Sequence, residues 1–183
     1  DAPVASLEVA ARGAFSAALS PDGRQAVIGS LLHGGSLWDI DSGERRFDWN
    51  HRAGTYTPIT AVAFAPGGDA AMTAEDETLV LWDTAGGAAV TYFTAPAKVN
   101  AIALGPGGRL ALLGLSDDTA VLFDARRGGI LRVFAHEGRV RSVALASERP
   151  RWSLLGVDVA AAAVALATGN TARLGIGNAR FIQ

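Results

Sequence analysis

The chain has no cysteine, a single lysine (Lys98) and a single methionine (Met72) among its 183 residues. Without cysteine there are no disulfides, thiolate zinc sites, iron–sulfur clusters or cysteine nucleophiles. Charge of either sign is not in excess: 16 basic and 18 acidic residues leave a net charge of −2. That argues against a chain whose main task is gripping nucleic acid, because phosphate binding is driven by positive charge. Nor is there a run of roughly 18–20 apolar residues, the length a membrane helix needs. The longest apolar stretch, Leu154–Ala167, is interrupted by Asp158 and reads as buried strand or Ala-rich helix. With 49% hydrophobic residues the chain is too apolar for disorder, although 36 alanines mean less core-forming bulk than that figure suggests. The first residue is Asp1 rather than Met. Together with the absence of cysteine, it makes a periplasmic or envelope-associated location the expectation over a cytoplasmic one. The length fits one ordinary domain or a piece of a larger ring-shaped one.

What the chain has is internal repetition. Leu19-Ser20-Pro21-Asp22-Gly23 returns as Phe64-Ala65-Pro66-Gly67-Gly68 and as Leu104-Gly105-Pro106-Gly107-Gly108. A second marker follows each: Leu37-Trp38-Asp39, Leu81-Trp82-Asp83 and Leu122-Phe123-Asp124. The prolines of the first marker and the aromatics of the second both recur about every 40–45 residues, the period of one four-stranded propeller blade. Ile59–Phe64 and Val99–Leu104 carry large or β-branched apolar residues at alternate positions, the period of a strand. The Pro-x-Gly after each is a turn, because Pro presets φ and Gly permits positive φ. A second apolar run, an acidic turn (Glu75-Asp76-Glu77 or Asp117-Asp118), a third strand ending in the aromatic-Asp pair and a fourth short strand complete each unit. The expected fold is all-β: four-stranded antiparallel blades over residues 13–50, 58–94, 98–135 and 139–183, about four in all, as a partial ring or half-propeller.

On these residues the chain resembles the WD40-repeat family of β-propellers, of bacterial type. The carrying pieces are Phe15–Gly23, Thr78–Asp83, Thr119–Asp124 and His136-Glu137-Gly138-Arg139-Val140, which is similar to the family's histidine loop. The resemblance covers about residues 13–146. It implies a structural network in each blade linking a loop His, a turn Asp and the strand Trp. Only the second repeat has candidates for all three, His51, Asp76 and Trp82, with a longer loop from His51 to Ile59 than the family pattern. The first repeat has Trp38 and Asp39 but His33-Gly34-Gly35 where the turn Asp belongs. The third has Asp117, Phe123 in place of Trp, and Asp124. The fourth has His136 but glycines, Gly169 and Gly175, near the other positions.

After Val140–Leu145, which reads as a first strand, the turn motif fails. One reading makes Ser147–Val159 an insertion of about eleven residues relative to the third repeat. Ala161–Thr168, Thr171–Ile176 and Ala179–Ile182 then form the remaining strands. The other reading is that the sequence beyond Ala146 no longer belongs to the repeat pattern. Either way, an open arc of blades leaves apolar faces at its two ends. A second copy of the chain or a longer protein could cover them, and Val4–Val9 could supply an outer strand.

Chemistry is sparse. His51 and His136 stand where the resemblance implies a structural role, and His33 sits in a Gly-flanked turn. No spacing of His or carboxylates suggests a metal. Asp39-Ile40-Asp41-Ser42-Gly43-Glu44 lacks the third acidic ligand and distal Glu of a calcium loop, and Asp41-Ser42-Gly43 reads as a hairpin turn. Glu75-Asp76-Glu77 and Asp117-Asp118 read as capped turns rather than acid/base pairs, and Gly175-Ile176-Gly177 lacks the rest of a dinucleotide fingerprint. No cofactor, metal or catalytic residue is expected, and no polar set converging at one rim is visible. Arg126-Arg127, Arg139 and Arg141 read as solvated surface. Arg52 and Tyr56 in the His51–Pro58 loop, and Arg149, Arg151 and Trp152, are the candidate interaction surface, because Trp, Tyr and Arg dominate binding hot spots. The expected function is a non-catalytic protein–protein interaction scaffold or subunit. The alternatives are a ligand-binding or enzymatic propeller, or a structural subunit of a larger envelope assembly. Function in each case comes from loops on rigid blades.

Overall fold

A computed structural model describes Leu7, residues 13–54 and 56–145, and the backbone of residues 154–157 and 179–182. Three four-stranded antiparallel sheets follow one another along the chain. The first contains β1 (Ala14–Leu19), β2 (Gln25–Ser30), β3 (Gly35–Asp39) and β4 (Arg45–Trp49). The second contains β5 (Ala61–Phe64), β6 (Ala70–Glu75), β7 (Thr78–Asp83) and β8 (Ala89–Thr94). The third contains β9 (Val99–Leu104), β10 (Leu110–Leu115), β11 (Thr119–Asp124) and β12 (Gly129–Ala135). In each, sequence order is spatial order, so the sheet is a meander whose first strand lies at one edge and whose fourth lies at the other. These are propeller-like blades. The first strands stack side by side, β1 against β5 and β5 against β9.

The turns explain why the repeat markers recur. In the turn after each first strand, Gly23, Gly68 and the pair Gly107-Gly108 adopt positive φ, a region that glycine enters without steric penalty. In the turn after each third strand, the aspartate of the aromatic-Asp pair accepts hydrogen bonds from the loop. Asp39 Oδ1 accepts from the Ser42 backbone N–H at 2.9 Å, Asp83 Oδ2 from that of Gly86 at 2.6 Å, and Asp124 Oδ1 from those of Arg126 and Arg127 at 3.2 and 3.0 Å. An Asp side chain that bonds its own backbone downstream is a strong turn former. The pair is therefore an end-of-strand signal: the aromatic points into the blade and the carboxylate closes the hairpin.

The core lies between blades. Val27, Leu37, Trp49, Ile59, Val80 and Trp82 join the first blade to the second. Met72, Leu79, Leu81, Leu113, Val121 and Phe123, with a set of alanines, join the second to the third. The alanine-rich composition has a geometric reason, since small residues let neighbouring sheets approach. At Gly29 the approach is closer still. A Cβ there would stand 2.7 Å from the carbonyl oxygen of Ile59.

The region after the third blade differs from expectation. Val140–Leu145 forms no strand, because no described residue pairs with it in a ladder. Its position is nonetheless that of a first strand. A Cβ on Gly114 would meet Val140 (Cγ1 at 2.8 Å, carbonyl O at 3.0 Å) much as one on Gly29 would meet Ile59. The Asn100 side-chain amide donates to the Val140 carbonyl at 3.2 Å. The expected strands Ala161–Thr168 and Thr171–Ile176 lie outside the described residues. Ala179–Ile182 is a strand, β14, but it pairs parallel with β13 (Leu154–Val157) and stands apart from the three antiparallel sheets. Val4–Val9 lies outside the described residues except for Leu7, which packs on Ala26, Ile28 and Trp38 on the first blade.

Candidate functional site

The second blade contains a buried polar network. The His51 side chain is wholly inaccessible, and its Nε2 lies 2.7 Å from Thr73 Oγ1. The indole Nε1–H of Trp82 donates to the same Thr73 oxygen at 2.8 Å. An indole can only donate, so Thr73 accepts from Trp82; its hydroxyl has a second lone pair as well as a proton, so the histidine tautomer sets which of Thr73 and His51 Nε2 donates between them. His51 Nδ1 faces Glu75 Oε2 at 3.8 Å, too long for a hydrogen bond. Burial, aided by the nearby Arg52 charge, lowers the His51 pKa to about 4. The ring is neutral at pH 7. Trp82 also stacks on Trp49 of the preceding blade, with centroids 5.1 Å apart and planes 7° apart, and Trp49 Nε1–H donates to the Gly87 carbonyl at 3.1 Å. The network thus pins the loop after the first blade to the interior of the second.

Asp76 is not part of it, which corrects the sequence expectation. Asp76 sits at the tip of the β6–β7 hairpin at φ 46°, exposed, and accepts from Lys98 Nζ at 2.8 Å. The carboxylate nearest His51 belongs to Glu75, the last residue of β6. A two-residue turn points its tip side chains outward, so only the strand-end acid can reach inward. Thr73 was not singled out from sequence, although one hydroxyl in the apolar run Ala70–Ala74 was the available signal.

The other repeat-motif residues are local. Trp38 Nε1–H donates to Ser36 Oγ at 2.8 Å on its own strand. Asp117 caps its turn through the Thr119 N–H at 3.2 Å and hydroxyl at 2.7 Å. Phe123 packs on Phe93 of the second blade, with centroids 4.5 Å apart. His136 is tied through its backbone N–H to the Asp118 carbonyl at 2.8 Å. Of the candidate interaction residues, Arg52 is exposed, 4.0 Å from Glu75, and Tyr56 is exposed with its ring edge-on to His33 at 5.5 Å. Arg149, Arg151 and Trp152 lie outside the described residues.

The structure also brings together a set of repeat-equivalent residues, three of the four polar, that sequence reading did not see. A cleft of 610 Å³ opens on the rim where the first strands begin. Phe15, Thr60, Asn100 and Arg141 all line it. Their spacing along the chain matches that of the repeat markers, so each occupies the same position in its repeat. Arg139 and the Lys98–Asp76 ion pair stand beside them, and Leu31 and Pro58 complete an apolar side with Phe15. The missed signal was the repeat register: one position per blade faces one rim. No group of three or more metal-ligating side chains occurs among the described residues, and none of their helices is long and apolar enough to cross a membrane.

The family model described as WD domain, G-beta repeat matches residues 49–83, from the end of β4 to the end of β7. That span includes His51, Thr73, Trp82 and Asp83. Over residues 49–83 the chain is thus similar to a WD40 repeat. The repeat that the model matches is therefore the one with the polar network. Among solved structures, hydrazine synthase from Kuenenia stuttgartiensis is similar in fold, with a TM-score of 0.62 at 17% identity. The match covers 71% of this chain and 38% of that one, so this chain spans well under half of that structure's length. No curated protein matches the chain in sequence.

Proposed function

We propose that the chain is a non-catalytic protein–protein interaction module whose WD40-type blades hold a partner protein at the first blade and the adjoining rim. One observation carries this reading. Leu19, Phe64 and Leu104 occupy one repeat position, two residues before the turn proline. Leu104 is buried (4% exposed) and Phe64 half-buried, but Leu19 is 64% exposed. Phe15, at the other end of β1, is exposed as well, and so are Leu31 and Leu32 in the turn next to the start of that strand. Large apolar side chains exposed along one blade mark a surface that is covered in use, and a blade buries its face against a neighbour. A photo-crosslinking residue at Leu19 should capture a protein in the native host, and the same residue at Arg46, on the charged strand β4, should not. Light scattering then separates the partners. A mass near twice 18.8 kDa would identify the partner as a second copy. Equal capture at both positions, or none at Leu19, would sink the reading.

A second reading, a small-ligand-binding propeller, is favoured by the rim cleft, where the repeated position is polar at Thr60, Asn100 and Arg141. A thermal shift from a metabolite panel would support it, and a flat panel would count against it.

A further inference from the structure

We infer that the rim cleft is a binding site for an acidic, apolar-anchored segment of a partner protein. This rests on the interaction reading above and names the chemistry of what is held.

Three of the chain's 16 basic residues, Lys98, Arg139 and Arg141, line this one cleft, against a single carboxylate, Asp76. The chain as a whole is at −2, so the local positive charge does not follow from composition. Asp76 is already engaged by Lys98 at 2.8 Å. Arg139 and Arg141 are exposed and make no ion pair with any described residue. They flank Val140, whose carbonyl is held by Asn100. The backbone between them is therefore anchored to the third blade. Guanidinium groups present paired donors matched to a carboxylate, and a fixed backbone lowers the entropic cost of using two of them together.

The opposite wall is apolar. Phe15 is 60% exposed and Leu31 41%, with Pro58 between the blades. A free inorganic anion would leave that wall wet. A segment with carboxylates and one bulky apolar side chain would neutralise the arginines and cover the wall at once. Complementary charge then sets orientation and encounter rate, and the apolar anchor supplies most of the affinity.

The test uses the full chain and a fluorescein-labelled six-residue peptide: two glutamates, leucine, phenylalanine, two glutamates. Anisotropy should report binding that weakens as salt is raised. The same peptide with lysines for glutamates should not bind. A peptide of six glutamates should bind at least about tenfold more weakly, the loss of about 1.4 kcal/mol of apolar contact. Arg139→Glu/Arg141→Glu should weaken binding by about tenfold or more. Leu31→Ser should weaken it several-fold, and each variant's thermal melt checks that it is folded. Because Leu31 lies in the first blade, far along the chain from the arginines, parallel losses cannot come from local unfolding of residues 139–145. Unchanged affinity in folded Arg139→Glu/Arg141→Glu would overturn the proposal. So would competition by free glutamate or inorganic phosphate as strong as by the peptide, or tighter binding of a single-stranded oligonucleotide. Failure here with protein capture at Leu19 intact would remove only this site. Failure of capture at Leu19 would remove the wider reading.

Discussion

The second and third blades share strand order, antiparallel register and Asp-closed turns, yet they are held together differently inside. In the second, Trp82 pairs across the ladder with Ala71, and its indole reaches Thr73, two residues further along β6. In the third, Phe123 pairs with Ala111, and the residue two further along is Leu113, fully buried. One interior is pinned by hydrogen bonds among His51, Thr73 and Trp82; the other is filled by apolar packing of Phe123, Leu113 and Phe93. The comparison teaches that the polar network is an addition to the blade, not its cause. Alternation and turn chemistry suffice to make the sheet. The network instead fixes the linker arriving from the previous blade, which the third blade lacks any histidine to do: Ala95-Pro96-Ala97 stands there.

The most severe way to break this comparison is Trp82→Ala. It removes the stack on Trp49, the donor to Thr73 and a large buried volume at one stroke. The expected loss is about 4 kcal/mol in urea unfolding, within the usual range for a buried aromatic. Phe123→Ala should cost a similar amount, because volume dominates both. What separates the blades is the change that keeps an aromatic ring but removes the indole donor. Trp82→Phe should still cost about 1–2 kcal/mol, since Thr73 loses a donor. If Trp82→Phe were neutral, the hydrogen bond would carry no weight and the two interiors would be energetically alike.

Acid should act on the second blade selectively. The His51 pKa is about 4 in the fold against 6.5 in the unfolded chain, because burial disfavours the cation. Below pH 6.5 the unfolded chain takes up a proton that the folded one refuses until about pH 4, so stability falls as pH falls across that window. At about 1.36 kcal/mol per pKa unit the loss is up to about 3 kcal/mol. Urea melts from pH 7 to 4 should show it, and His51→Gln should flatten that part of the profile. A profile equally steep in His51→Gln would assign the acid sensitivity elsewhere.

Thr73→Val tests the centre of the network. It keeps the shape but strands the Trp82 indole N–H and the His51 ring nitrogen, so about 2 kcal/mol should be lost. The acid profile should also change, because His51 loses its hydroxyl partner. The matched change in the third blade, Leu113→Val, removes one methylene and should cost about 1 kcal/mol with no effect on the pH dependence.

Most of this was legible before the structure. Alternating apolar residues and Pro-x-Gly turns delimit three sheets, and the aromatic-Asp pair marks the end of each third strand, because these are short-range effects. Three things were not. The acid beside His51 is Glu75, since a hairpin turns over one residue earlier than a motif comparison suggests. The rim set of Phe15, Thr60, Asn100 and Arg141 is drawn from distant parts of the chain and meets only because each residue occupies the same repeat register. The parallel pairing of Ala179–Ile182 with Leu154–Val157 depends on a partner that no local pattern specifies.

The smallest predicted effect is the sharpest test of the network's membership. If Asp76 were the acid of the His51 network, Asp76→Asn would cost about as much as Thr73→Val and would alter the acid profile. In the structure Asp76 is an exposed hairpin-tip residue at φ 46° whose one ion pair among the described residues is with Lys98, itself half exposed. Exposed ion pairs contribute from nothing to about 1 kcal/mol. Asn tolerates the left-handed conformation nearly as well as Asp. Asp76→Asn should therefore cost about 0.5 kcal/mol or less, that loss should shrink in high salt, and the profile between pH 6.5 and 4 should stay unchanged. Glu75→Gln should behave differently. It removes the negative charge nearest to His51 and so makes protonation of the buried ring harder still, which enlarges the stability lost as pH falls below 6.5. A salt-independent loss for Asp76→Asn as large as that of Thr73→Val would return that residue to the network and displace Glu75.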